Sequence, residues 1–141
     1  MYKRQEYIEL EITESVLLGH DQSTTDKLHA LVEHGFRIAI DDFGTGYSNL
    51  AYLHRYPIDC LKIDRSFIMQ IDSVRPIVEL IVSMARLFEL DVVAEGVETE
   101  EQLRALQSFD CQEYQGFLFA KPMSFTDFSA LLAQIGNEAA A

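Results

Sequence analysis

The chain has 141 residues, 48% of them hydrophobic, and a formal net charge of −12. That length suits one globular core, and the excess of carboxylates excludes non-specific binding to a nucleic-acid backbone, which needs clustered Lys and Arg. No apolar run is long enough to span a bilayer. "MYKRQEY" has no apolar segment behind its basic residues, so no secretory signal is read and a cytoplasmic location is expected.

The first strand is expected over 7–13, where Ile8, Leu10 and Ile12 alternate with Glu9, Glu11 and Thr13. Residues 24–35 read as a helix that stops at Gly35, a natural residue just past a helix end. A strand "FRIAID" follows, then a short helix over 48–56 closed before Pro57, then a strand "CLKID". Over 75–90, Ile77, Ile81, Met84 and Phe88 recur at helical spacing, widened by Val78, Leu80 and Ala85, with Met84 as core filler. "DVVAEGV" is the next strand, and the helix over 98–109 has Thr99 and Gln102 placed as a capping box. "EYQGFLFAKP" reads as extended, and a last helix over 125–135 frays into the tail, 133–141. Cys60 and Cys111 lack metal-ligand spacing and read as buried free thiols, while His20, His29, His34 and His54 read as solvated.

Five alternations of strand and helix with short connections indicate an α/β fold with a parallel sheet. An open doubly wound sheet and a (β/α) barrel both satisfy that order. Neither G-x-G-x-x-G nor G-x-x-x-x-G-K-[ST] occurs, so Rossmann-type and P-loop nucleotide binding have no support.

The charged residues carry more information. Glu11, Asp41, Lys62 and Glu95 each stand at or near a strand end, roughly one βα unit apart. On the opposite faces, Ile12, Ile40, Ile63 and Val92 suit packing under helices. In a parallel barrel such strand ends converge on one mouth. Asp42 is expected to join from the loop after the strand, and Glu98 and Gln115 lie close by. Adjacent carboxylates repel unless a cation stands beside them, and hard oxygen ligands suit magnesium, manganese or calcium. The chemistry that fits is metal-assisted hydrolysis of a phosphate ester. Asp41 would bridge two metals, Glu11 would bind one, Asp42 and Glu95 the other, and Lys62 would hold the water or the phosphate charge.

"ELEITES", "DDFGTGYSNL", "LKIDRSF", "VVAEGVET" and "QGFLFAKP", in that order, resemble the EAL domain, a bacterial cyclic-di-GMP phosphodiesterase. The resemblance runs from about residue 8 to residue 132. It implies a modified TIM barrel that binds two Mg2+ or Mn2+ ions and one cyclic di-GMP, with Ca2+ inhibitory. It implies metal ligation by Glu11, Asp41, Asp42 and Glu95, and catalytic roles for Lys62 and Glu95. Glu98, Gln115 and Pro122 would support the site or bind substrate, and Glu14 would tether the loop after Asp42. The segment between Ile71 and Ile77 reads as a trimmed loop relative to the family. The Glu-Ala-Leu tripeptide, the arginine after it and an asparagine of the first metal site are absent, and all belong before Tyr7. A closed barrel takes roughly 250 residues. Residues 1–141 are therefore expected to be the C-terminal part of one EAL domain, a partial barrel of about five βα units, inactive or weakly active alone. A catalytically inactive dinucleotide-binding or interaction module is the alternative. Its open sheet edges, with "EYQGFLFA" foremost, lead to an expected homo-oligomer.

Overall fold

Alternation with a period of two drives the sheet. In the computed structural model, which describes residues 7–17, 22–45 and 51–138, five parallel strands lie in chain order, β1-β2-β3-β4-β5. They are β1 (Glu9–Thr13), β2 (Arg37–Phe43), β3 (Cys60–Ile63), β4 (Asp91–Glu95) and β5 (Glu113–Gln115). The helices are α1 (Glu14–Leu17), α2 (Gln22–Glu33), α3 (Ala51–Arg55), α4 (Arg65–Met69), α5 (Ile71–Leu87), α6 (Glu100–Ser108) and α7 (Phe125–Glu138). This is a partial (β/α) barrel.

One face of every strand is apolar. Ile38, Ile40, Leu61, Ile63 and Ala94 have no exposed surface and join Leu28, Val78, Ile81, Val82, Ala85 and Leu106 in a single core. Burying one such aliphatic side chain stabilises the fold by about 1.5–3 kcal/mol, so the sheet and its helices are held chiefly from this outer side. Met84 is buried in the same cluster, as core filler should be. At the N-terminal ends of the strands, Arg37 links β1 to β4 through Glu9 at 4.0 Å and Asp91 at 2.5 Å.

The structure departs from the expected elements in several places, beginning with α1 and α4, two short helices that the sequence pattern does not announce. β2 continues through Asp42 to Phe43 instead of stopping at Asp41, because a bulge absorbs one extra residue. The stretch read as a trimmed loop between Ile71 and Ile77 is helical. Gln70 ends α4 and also starts α5, its carbonyl accepting from Ser73 and Val74 at 2.9 and 3.1 Å. Pro76 therefore lies inside α5 rather than at its first turn. The extended reading of 113–122 holds only to Gln115. A turn at Gly116 follows, with Phe119 and Ala120 both donating to the Gly116 carbonyl. Finally, α7 runs on through Glu138, well into the stretch expected to fray. The capping box forms as read, Thr99 and Gln102 each bonding the other's backbone. His29, His34 and His54 are exposed, and His20 and residues 48–50 lie outside the described residues.

Both cysteines are buried free thiols. Burial pushes the Cys60 thiol up to about 12 and the Cys111 thiol up to about 11. A thiol pKa raised by folding costs stability as pH climbs above the ordinary thiol value. Iodoacetamide at about pH 8 is expected to leave both cysteines unmodified in the native chain and to alkylate both in urea. Rapid labelling of either one in the native chain would contradict their burial.

Candidate active site

The site is assembled by a register irregularity. Ile40 pairs with Leu61 and Phe43 with Ile63, so Asp41 and Asp42 together stand opposite Lys62. Without the bulge, adjacent residues would point to opposite faces, and one carboxylate would enter the apolar core. Asp42 meets the geometric demand with φ 54, a left-handed conformation that Asp tolerates better than most residues.

Lys62 is buried, and its ammonium is ringed by carboxylates from three other strand ends. Nζ lies 2.5 Å from Glu11 Oε1, 2.7 Å from Glu95 Oε1 and 3.6 Å from Asp41 Oδ1. Burial alone would lower the Lys62 pKa. Hydrogen bonds to Glu11 and Glu95 and the charges of Glu95 and Asp41 outweigh it, leaving the pKa above that of an ordinary lysine. From neutral pH up to about pH 10 the ion pairs thus contribute their full stability, which is lost as pH rises through the raised value.

A second carboxylate contact lies beside the first. The Asp42 carboxyl is held above its usual range, first by desolvation, then by the charges of Asp41 and Asp64 and a side-chain bond to Asp64. Asp64 also caps α4, accepting from the Ser66 amide at 3.0 Å and from the Ser66 hydroxyl. Sequence reasoning misses Asp64 as a site residue. Its signal is present two positions after Lys62, just past the end of β3.

The remaining site residues divide into two groups. Glu14 is buried and accepts from the Gly44 amide at 3.4 Å, so it touches the loop that follows Asp42. Glu98 pairs with Arg65 at 2.7 Å. Gln115 stands opposite Glu95 in the sheet, and its carbonyl accepts from Val97 at 3.1 Å. Glu95, Glu98, Gln115 and Pro122 line a cavity of about 510 Å³ together with Arg65, Phe117, Lys121 and Phe128. The cavity is the part of the site that motif spacing could not show.

The donor set can be tested for a hard cation. Asp41 Oδ1 is buried without a hydrogen-bond partner, and the charges of Asp41 and Asp64 both bear on Asp42. An all-oxygen, excess-negative set of this kind fits a divalent ion of the magnesium class. Among the described residues no three carboxylates converge on each other as a metal-holding group. They converge instead on Lys62, because an ammonium offsets their repulsion at the same point.

The profile of the EAL domain matches residues 2–122. The chain belongs to the EAL family. It is 44% identical over 137 residues to the cyclic di-GMP phosphodiesterase NbdA of Pseudomonas aeruginosa, covering 95% of this chain and 18% of NbdA. Among solved structures, PaMucR phosphodiesterase in a c-di-GMP complex superposes with a TM-score of 0.83 at 42% identity, over 88% of this chain and 51% of that one. Klebsiella pneumoniae BlrP1, solved with cyclic di-GMP and calcium or manganese, gives 0.77 at 36% identity, over 84% of this chain and 31% of that one. This EAL chain thus spans less than a fifth of NbdA and about half of the MucR chain. Among its described residues no helix is long and apolar enough to cross a membrane.

Removing the ammonium would leave Glu11, Asp41 and Glu95 facing one another. Breaking a fully buried pair costs about 3–5 kcal/mol, and water around the half-exposed Glu11 reduces this to about 2 kcal/mol. Urea denaturation of Lys62→Met at neutral pH is expected to show a loss of that size. A cost near zero would mean that the carboxylates part freely when the lysine is gone.

Proposed function

We propose that this chain is the C-terminal part of an EAL domain whose complete form hydrolyses cyclic di-GMP to linear pGpG. The observation that carries the reading is the gathering of Glu11, Asp41 and Glu95 on Lys62, with Asp41 Oδ1 buried and without a hydrogen bond. It is supported by the phosphodiesterase name of NbdA and by the c-di-GMP complex of MucR.

Two Mg2+ or Mn2+ ions held by Glu11, Asp41, Asp42 and Glu95 would polarise the phosphate and lower the pKa of a bound water. The protein's own groups would do the rest. Glu95 would take the proton of the attacking water at its carboxylate. Lys62, which stays charged across the neutral range, would hold that water or stabilise charge on the phosphate. The cavity would take a guanine base, with Phe117 and Phe128 offering apolar surface and Glu98 and Gln115 offering hydrogen bonds.

In a protein with the complete domain, Asp41→Asn should abolish turnover of cyclic di-GMP, since it removes a charge shared by the whole cluster. Lys62→Ala should lower kcat on the order of 100-fold while weakening substrate binding much less. The 141-residue chain alone should turn over slowly or not at all. Single-turnover assays with Mn2+ check all three, and an unchanged kcat in Lys62→Ala would remove the lysine from the chemistry.

We also propose that the isolated chain self-associates. β5 is an unpaired sheet edge only three residues long, and beside it Phe117, Phe119, Phe125, Phe128, Leu132 and Ile135 are all exposed. Sedimentation velocity at micromolar concentration should show a dimer or larger species, and Phe125→Ser with Leu132→Ser should shift it toward monomer. A monomer in the unaltered chain would contradict the proposal.

A further inference from the structure

We infer that Arg65 is a positioning residue that clasps the exits of β3 and β4 and so sets Glu95 against Lys62. Arg65 is the first residue of α4, directly after the Asp64 cap, so the origin of its side chain is fixed by a capped turn. Its stem lies flat on Gly96. A Cβ added at Gly96 would stand 2.2 Å from Arg65 Cγ, 2.8 Å from Cδ and 2.9 Å from Cβ. Its guanidinium then reaches Glu98, with Nη2 2.7 Å from Oε1.

Those two contacts bracket the turn that follows Glu95. Gly96 has φ 73, a conformation open to glycine, and it lets the chain leave the strand at once. Between the contacts, Val97 is fully buried, its amide bonded to the Gln115 carbonyl at 3.1 Å and its carbonyl accepting from Leu118 at 3.0 Å. At the far end, the Gln102 side chain accepts from the amides of Glu98 and Thr99 at 2.7 and 3.0 Å and donates to the Ile68 carbonyl at 3.2 Å. The turn is therefore fastened to α4 twice, by Arg65 at its start and by Gln102 at its end.

The contacts form a closed circuit. Lys62 and Arg65 lie three residues apart on one chain segment, Glu95 and Gly96 are neighbours on another, and Glu95 Oε1 returns to Lys62 Nζ at 2.7 Å. Opening the circuit at Arg65 frees the exit of β4 to swing, and Glu95 is the residue that moves. The Arg65–Glu98 pair is about half exposed, so its loss should change global stability little. Its effect falls on geometry.

The test uses Arg65→Ala and Arg65→Lys, the second keeping both stem and charge. In the 141-residue chain, amide exchange at Val97, Glu98 and Thr99 should accelerate at least ~10-fold in Arg65→Ala, with the melting temperature and exchange elsewhere unchanged. The ¹⁵N resonance of the Lys62 ammonium should shift as Glu95 withdraws, and Arg65→Lys should restore most of both signals. In a complete domain, kcat for cyclic di-GMP should fall between ~10-fold and ~100-fold, by more than KM changes, since Arg65 also lines the proposed base cavity. That arm alone rests on the phosphodiesterase reading, so an inactive unaltered domain would count against that reading and leave exchange and resonance to decide on Arg65. Unchanged exchange with an unmoved Lys62 resonance would overturn the clasp. Acceleration throughout the chain would show a merely structural residue, and faster local exchange with an intact kcat would show that Arg65 does not set Glu95.

Discussion

One ammonium group holds four strand ends together. β1, β2 and β4 each send a carboxylate to Lys62 on β3, and no other described cation lies in that ring. Three carboxylates against one ammonium leave the cluster two charges short of neutral, before Asp42 and Asp64 are considered. In a chain of net charge −12 the wider field adds to the deficit rather than relieving it. This is the electrostatic reason that a hard divalent cation suits the position. The lysine gathers the three carboxylates but does not neutralise them, and the buried Asp41 Oδ1, which has no hydrogen bond, is where the shortfall is local.

Backbone conformation separates the site from ordinary structure. Glu89 and Asp110 have positive φ, but each lies just past the last turn of a helix, α5 and α6, where such values are common. Asp42 has φ 54 inside a strand. A non-glycine residue held there costs of order 1–3 kcal/mol, and it persists because its surroundings over-determine it. Here the surroundings are the ladders on either side of the bulge, Ile40 with Leu61 and Phe43 with Ile63. The strain lets Asp41 and Asp42 both stand opposite Lys62 in the register, Asp41 reaching its ammonium and Asp42 facing Asp64, which a regular strand cannot do.

Much of this is legible in the sequence, and the illegible parts share a cause. Period-two alternation identifies the inward faces of β1 to β4, so strand pattern alone places Glu11, Asp41, Lys62 and Glu95 at one mouth. Helical spacing identifies Val78, Ile81, Met84 and Ala85 on the buried side of α5 but wrongly adds Ile77, Leu80 and Phe88, which stay exposed, and capping chemistry identifies the start of α6. What escapes depends on contacts between segments. The bulge is defined by β3 as much as by β2. The early end of β5 follows from Gly116, where a Cβ would stand 2.1 Å from the Val97 carbonyl oxygen, a close approach that no pattern of residue types announces. Asp64 escapes because one residue has two duties, capping α4 and facing Asp42. Gln70 escapes for a similar reason, ending one helix while starting the next.

Stability and chemistry occupy opposite faces of the same strands, and that division constrains both. Ile38, Ile40, Leu61, Ile63 and Ala94 are sealed under helices, whereas Glu11 is half exposed on the inner face. Because successive side chains alternate, a slip of one residue in any strand would drive its carboxylate or lysine under the helices and bring an Ile or Leu to the mouth. The cost of such a slip is the desolvation of a charge plus the lost burial of an aliphatic side chain, several kcal/mol per strand. The apolar core therefore does more than stabilise the sheet. By fixing register from the outer side, it decides which atoms meet on the inner side, so the charged cluster inherits its geometry from residues that never touch it.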